Sequence, residues 1–203
     1  MKLRLGIVAI NLVCCVMATS PSLAQHHSNQ MPEKGKSHES LGESIRDGSV
    51  NLLEKYLKRG GDPNTKLGGE TLLTIASTNS NIDGMKALLK AGAKINNACE
   101  DGDTPLMRAT RYLYRNEMDG IKLLISKGAD VNKTFPKGTS ALMLASAAPG
   151  KHYEALYVEA VKLFLKHGAK VNAKNGKGYS ALKLAQEGEA KQIVSILKAA
   201  GAK

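Results

Sequence analysis

From about residue 40 onward, the apolar positions fall at helical spacing in short segments divided by glycine-containing turns. Leu41, Ser44 and Ile45 mark a short first helix, turned by Arg46-Asp47-Gly48. Val50, Leu52, Leu53, Tyr56 and Leu57 mark a second, which stops at Gly60-Gly61, where glycine can take the left-handed conformation that closes a helix. Thr71 caps the next helix, with Leu72, Leu73, Ile75 and Ala76 turned inward. Asn81-Ile82-Asp83-Gly84 then turns the chain, and Met85, Leu88 and Leu89 pack its partner. At Asp101-Gly102-Asp103-Thr104-Pro105-Leu106, Thr104 is the cap and Pro105 fills the first helical position, where a missing N–H costs nothing. Two more units open at Lys137-Gly138-Thr139-Ser140 and at Lys177-Gly178-Tyr179-Ser180. The last helix, about 190–200, turns Ile193, Val194 and Leu197 inward. Its exposed Lys191, Gln192, Ser195 and Lys198 form the polar outer face of a terminal cap.

The helix-ending glycines Gly60, Gly92, Gly128, Gly168 and Gly201 recur at spacings of 32, 36, 40 and 33. A period near 33 with small insertions is the signature of a helical solenoid. The expected fold is therefore all-α: about five helix-turn-helix units over 40–203, divided near 40–66, 67–98, 99–134, 135–174 and 175–203. Such stacks bind far more often than they catalyse.

Two segments precede the stack. Lys2 and Arg4 give a positive start, Leu5 to Met17 an apolar run broken only by Asn11, and Ser22-Leu23-Ala24 the small residues a signal peptidase inspects. The run is too short for a permanent membrane anchor. A lipoprotein signal competes through Cys14 and Cys15, but neither follows Gly or Ala and the apolar run continues past both. Residues 1–24 thus read as a signal peptide, with export to the periplasm expected and the extracellular medium as the alternative. Residues 25–39 are polar apart from Met31 and read as a flexible linker. Their His26, His27 and His38 lack a carboxylate or thiol at fixed spacing, so no metal site is expected.

Processing would change the charge and the thiols. The whole chain carries +11; without Lys2 and Arg4 it has 27 basic and 18 acidic side chains, a net +9. Lysines are spread through nearly every unit, which favours a solvated basic surface over a nucleic-acid site. Cys99 becomes the one remaining thiol, so no internal disulfide can form. Beside a turn, it reads as a half-buried apolar residue.

Asp101-Gly102-Asp103-Thr104-Pro105-Leu106, followed by Ala109 and by Gly128-Ala129-Asp130-Val131-Asn132, resembles the ankyrin repeat. Gly92-Ala93-Lys94-Ile95-Asn96 and Gly168-Ala169-Lys170-Val171-Asn172 echo the closing motif. The resemblance covers about 40–203. It implies units of two antiparallel helices with a hairpin-like turn projecting at right angles, stacked into a curved slab with a concave face. It also implies a protein-binding role; small exported proteins of this kind range from supporting an envelope enzyme to serving as immunity proteins.

Departures from the pattern point to candidate contact residues. From Thr104 to Gly128 is 24 residues against 21 from Thr71 to Gly92, so the third unit has three extra, within 111–118. From Ser140 to Gly168 is 28, so the fourth has seven extra, within 149–157. Adjacent insertions on one side of a solenoid often mark its binding surface. Arg111, Tyr112, Tyr114 and Arg115 fall in the first, and Tyr153 and Tyr157 in the second, four of the six tyrosines. Tyr and Arg are frequent hot-spot types. Phe135 and Tyr179 near the turn tips extend the patch; the competing reading is that the tyrosines pad longer helices. Arg108 replaces a leucine that the family directs at the core, as at Leu144 and Leu184, and either snorkels to solvent or faces outward in a rotated unit.

No catalytic constellation accompanies these residues. There is no phosphate loop, no pair of His at ligand spacing in the repeats and no nucleophile elbow; His152 and His167 stand alone. The expectation is a non-enzymatic, cofactor-free module, monomeric when free, that binds a protein and has no specific nucleic-acid target or transmembrane segment once processed. The alternatives are a secreted effector binding a host protein and an electrostatic binder of nucleic acid or anionic lipid.

Overall fold

The computed structural model describes residues 34–113, 118–134, 137–147 and 153–203. Ten helices run through these residues: α1 (Lys34–Arg46), α2 (Asn51–Lys58), α3 (Leu72–Thr78), α4 (Ile82–Lys90), α5 (Pro105–Arg111), α6 (Asp119–Ser126), α7 (Ala141–Ser146), α8 (Glu154–Lys166), α9 (Ala181–Glu187) and α10 (Lys191–Ala199). Each odd-numbered helix packs on the even one that follows it. The odd helices also stack in sequence, α1 on α3, α3 on α5, α5 on α7 and α7 on α9, while α4 lies on α6 and α8 on α10. The expected helical solenoid is present.

Four of the odd helices start identically because the same atom type starts them. The hydroxyls of Thr71, Thr104, Ser140 and Ser180 accept from the backbone N–H three residues on, at 3.1, 3.3, 3.3 and 3.3 Å. Helices α4, α6 and α8 end in the same way. Gly92 and Gly128 have φ of +91° and +89°, which lets Ala93 and Ala129 N–H reach back to Leu88 and Leu124 carbonyls at 2.9 and 3.0 Å. Ala169 N–H does the same to Phe164 at 3.0 Å.

The closing asparagines join one unit to the next. Asn132 Oδ1 accepts from Lys170 N–H at 2.8 Å, and its Nδ2 donates to Gly168 carbonyl at 3.0 Å. Asn172 repeats both bonds with Lys203 and Gly201, at 2.9 and 3.0 Å. Asn64 bonds Lys94 N–H at 2.8 Å but reaches Gly92 carbonyl only at 3.5 Å, and Asn96 Oδ1 takes Asp130 N–H at 2.9 Å. Buried Asn81 adds a fifth tie: it caps Gly84 N–H at 2.8 Å and donates to Ile45 carbonyl at 3.0 Å.

Between units the chain projects as a narrow hairpin. Two short strands, β1 (Lys66–Leu67) and β2 (Glu70–Thr71), pair antiparallel, and single bridges join Thr134 to Ser140 and Lys174 to Ser180. The core is aliphatic and close-fitting: Ile45, Leu53, Ala76, Leu88, Leu124, Ala145, Ala185, Ile193 and Leu197 are fully buried. As expected, Lys191, Gln192, Ser195 and Lys198 are exposed on α10, though Val194 is only half-buried.

Three expectations change. Helix α1 begins at Lys34, so the end of the polar linker is helical and continuous with the first unit. Asn81-Ile82-Asp83-Gly84 is a helix start, not a separate turn, because the Asn81 side chain caps α4. The second insertion is partly helix: α8 has 13 residues against 8 in α6 and 9 in α4.

Asn132→Ala should lower stability by about 2 kcal/mol, two hydrogen bonds at about 1 kcal/mol each. Asn64→Ala, whose second bond is long, should cost less. Urea titrations followed by circular dichroism would show both midpoints falling, Asn132→Ala further, with native helicity unchanged; equal losses would contradict the two-bond account.

Candidate functional site

The densest polar grouping in the described residues lies where the third unit's turn meets α5. The Asp101-Gly102-Asp103 turn brings two carboxylates to the start of α5, and helical spacing places Arg108 and Arg111 on the face that looks back at them. Asp103 is almost fully buried and receives Arg111 through two bonds, Nε to Oδ2 and Nη2 to Oδ1, both 3.0 Å. Arg108 donates to Asp101 through a short bond and lies 3.5 Å from Glu70 and 3.6 Å from Asp103. Glu70 belongs to the preceding hairpin and is also 3.8 Å from Arg46, so charge contacts run across three consecutive units. The Arg108 side chain is only 12% exposed, and its Nε, pointing toward Asp103, has no hydrogen-bond partner among the described residues.

Cys99 closes the bottom of this cluster. It is buried, its thiol donates to Asp103 carbonyl at 3.0 Å, and Arg108 Nη2 is 3.7 Å from its sulfur. Burial pushes the thiol pKa up, as does the hydrogen bond with Asp101, so it stays a protonated, unreactive thiol at neutral pH. Burial would raise Asp101 too, but the Cys99 thiol, the Asp103 N–H and the Arg108 guanidinium outweigh it and hold the carboxyl below its ordinary value. The bond to Asp103 raises Arg111.

The structure separates the sequence-derived contact residues into groups. Arg108 and Arg111 are brought together on Asp103, with Tyr112 half-buried at the end of α5. Tyr153 is half-buried at the start of α8. Tyr179 is half-buried in the last hairpin, with Lys183 Nζ 4.3 Å above its ring. Tyr114, Arg115 and Phe135 lie outside the described residues.

Tyr157 is a correction. It is 1% exposed and is among the largest fully buried side chains, because the lengthened α8 turns it inward beside Val158. For this residue the padding reading holds and a surface contact is ruled out. Arg108 is a second correction: it neither snorkels nor faces outward, since three carboxylates surround it. Leu144 and Leu184, at the matching step, are themselves only half-buried, so the position is a flank of the core and admits a paired charge. Cys99 is deeper than the half-buried place its sequence suggests. The partners Glu70 and Asp103 were missed; for Asp103 the signal was present in the Asp101–Asp103 cluster, five to ten residues before the two arginines, while Glu70, 38 residues from Arg108, had no local signal.

No group of His, Cys, Asp and Glu among the described residues is arranged to hold a metal ion. A groove of about 730 Å³ between α2 and α4, lined among others by Glu54, Leu57, Lys58 and Ala87, contains no His, Cys or Ser. No described helix is long and apolar enough to cross a membrane.

Comparison with known proteins agrees with the architecture. The family model for ankyrin repeats (3 copies) matches residues 41–135 and again 114–203. No curated protein sequence matches the chain significantly.

Removing Asp103 should leave Arg108 and Arg111 short of a buried counter-charge, so Asp103→Ala should cost about 3 kcal/mol. Arg108→Leu, which restores the residue type of the matching positions, should cost less, because Asp103 keeps Arg111. Denaturant midpoints would order the two; the reverse order would sink this reading of the cluster. Asp101 has a lowered folded pKa, so its contribution is present above the ordinary carboxylate range and is lost as pH falls through the folded value. Asp101→Asn should therefore flatten the acid side of the stability–pH profile; an unchanged profile would show that Asp101 is not linked to folding.

Proposed function

The chain belongs to the ankyrin-repeat family, and from that premise we propose that it is an exported, non-catalytic module that binds a protein partner. The observation that carries this reading is coverage: the repeats, which generally serve as protein-interaction modules, occupy 41–203, almost everything after the signal-like start. The N-terminal pattern of Lys2 and Arg4, an apolar run and Ser22-Leu23-Ala24 supports cleavage after Ala24 and a periplasmic location. Support of an envelope enzyme or immunity against a toxin are the roles that suit such a module.

The partner surface follows the concave face and the two insertions. With Tyr157 in the core and Arg108 nearly buried among the chain's own carboxylates, the contact residues reduce to Arg111, which is paired with Asp103 yet 44% exposed, Tyr112 and Tyr153, with Tyr114 and Arg115 close to Tyr112 in sequence and Phe135 and Tyr179 in the later hairpin sequences. Tyr and Arg give large contact area with directional polar groups, which suits them to anchor an interface.

Three measurements test this. Intact-mass analysis of the periplasmic protein should find a chain starting at Gln25; retention of Met1, or lipid on Cys14 or Cys15, would contradict export by this route. The mature chain, used as bait in periplasmic extract, should capture a specific protein. Joint replacement of Tyr112, Arg115 and Tyr153 by Ala should weaken that complex by about 2 kcal/mol or more. Unchanged affinity, or collapse of the fold, would move the interface elsewhere.

A further inference from the structure

The positive charge of this chain is concentrated from the close of the third unit onward. Residues 131–203 contain twelve Lys and four Glu, with no Arg and no Asp, so +8 of the +9 beyond residue 24 lies there. Lysines occur throughout the chain, whereas fourteen of the eighteen acidic residues precede residue 131. In the earlier turns Glu70, Asp101 and Asp103 meet Arg46, Arg108 and Arg111 within the fold. The later turns have no such balance.

The four late glutamates stand away from the hairpin tips. Glu154 and Glu159 are on α8, where Glu154 accepts from Gln192 N–H at 3.2 Å and Glu159 pairs with Lys122 at 2.9 Å. Glu187 ends α9, 4.0 Å from Lys183, and Glu189 lies in the following turn. The two hairpins themselves are held side by side. Gly176 N–H donates to Lys137 carbonyl at 2.6 Å, and Gly138 approaches so closely that a Cβ there would lie 3.1 Å from Asn175 Cα. Exposed Lys133, Lys137, Lys174 and Lys177 therefore share one edge, continued by Lys183 over the Tyr179 ring. Among the described residues none of these first four makes an ion pair.

We propose that this edge, formed by residues 133–134, 137–140 and 174–183, docks an acidic face of the partner protein; the proposal rests on the protein-binding reading above. Half-buried Leu144 and Leu184, at one matching step of α7 and α9, and half-buried Tyr179 lie in the same two units as Lys137, Lys174 and Lys177. Apolar and aromatic groups beside charge suit a protein interface with an apolar centre and a charged rim. A duplex or a headgroup plane would leave the leucines unmatched. Residues 131–203 also lack arginine, the fork that grips phosphate through two bonds. The lysines act as point charges that steer an acidic partner and fix its register, so association should be fast and salt-sensitive.

The test uses the mature chain and three probes: polyglutamate, duplex DNA and phosphatidylglycerol vesicles. One variant reverses Lys133, Lys137, Lys174 and Lys177 to Glu; a control of equal net charge reverses Lys55, Lys58, Lys86 and Lys90. A third replaces the first four by Gln, so that loss of charge is separated from added repulsion. Polyglutamate binding should fall at least about tenfold in the first variant, less in the Gln variant, and under about twofold in the control, with melting temperatures preserved. Equal loss in both reversals would overturn the proposal, and so would tighter binding of DNA or vesicles than of polyglutamate. Those outcomes leave the protein-binding reading intact, since that reading falls only if the mature chain captures no specific protein from periplasmic extract.

Discussion

A helix pair of this length cannot cover its own apolar face, and the rest of this structure depends on that constraint. Leu72, Leu73 and Ile75 are sealed only because α1 and α5 flank α3; Ala145 is sealed because α5 and α9 flank α7. Small residues at Ala76, Ala145 and Ala185 let the odd helices approach one another, and identical hydroxyl caps hold those helices at one height. The asparagines then tie each closing loop to the next, satisfying backbone groups that the hairpins leave open. Stability is a sum over neighbours, and among the described residues Cys99 is a free, buried thiol.

That design permits variation where neighbours do not meet. The lengthened α8 uses its extra turn partly for structure, burying Tyr157 and Val158 and engaging Gln192 through Glu154. The arginine at 108 exploits the same freedom: it stands at a flank position and links the second and third units through Glu70, Asp101 and Asp103. A buried cluster of this kind is weak evidence for net stability and better evidence for fixing how two units register. It also ties α5 to the preceding hairpin through Arg108 and Glu70.

The period, the caps and the glycine turns were legible because each rests on a local rule. Thr71, Thr104 and Pro105 stand where helix-start chemistry needs them, and Gly92 and Gly128 where a positive φ is required. What depends on contacts between units was not legible. Nothing local to Arg108 announces Glu70, which is 38 residues away, and nothing local to Tyr157 says that α8 will start early enough to turn it inward. Asn81 read as a turn residue because its buried partner, Ile45 carbonyl, belongs to another unit. Of the candidate contact residues, Arg111 is exposed and Tyr112, Tyr153 and Tyr179 are half-buried, whereas Arg108 and Tyr157 entered the packing.

The central claim is that residues 34–203 form one continuous stack in which each unit depends on the next. Deleting residues 137–203 tests it directly, because it removes the cover from α5 and α6 while leaving the earlier units unchanged in sequence. The shortened chain should aggregate, or retain far-ultraviolet helicity with exposed apolar surface and a broad, non-cooperative transition. A soluble, monomeric product with a sharp unfolding transition would contradict the account.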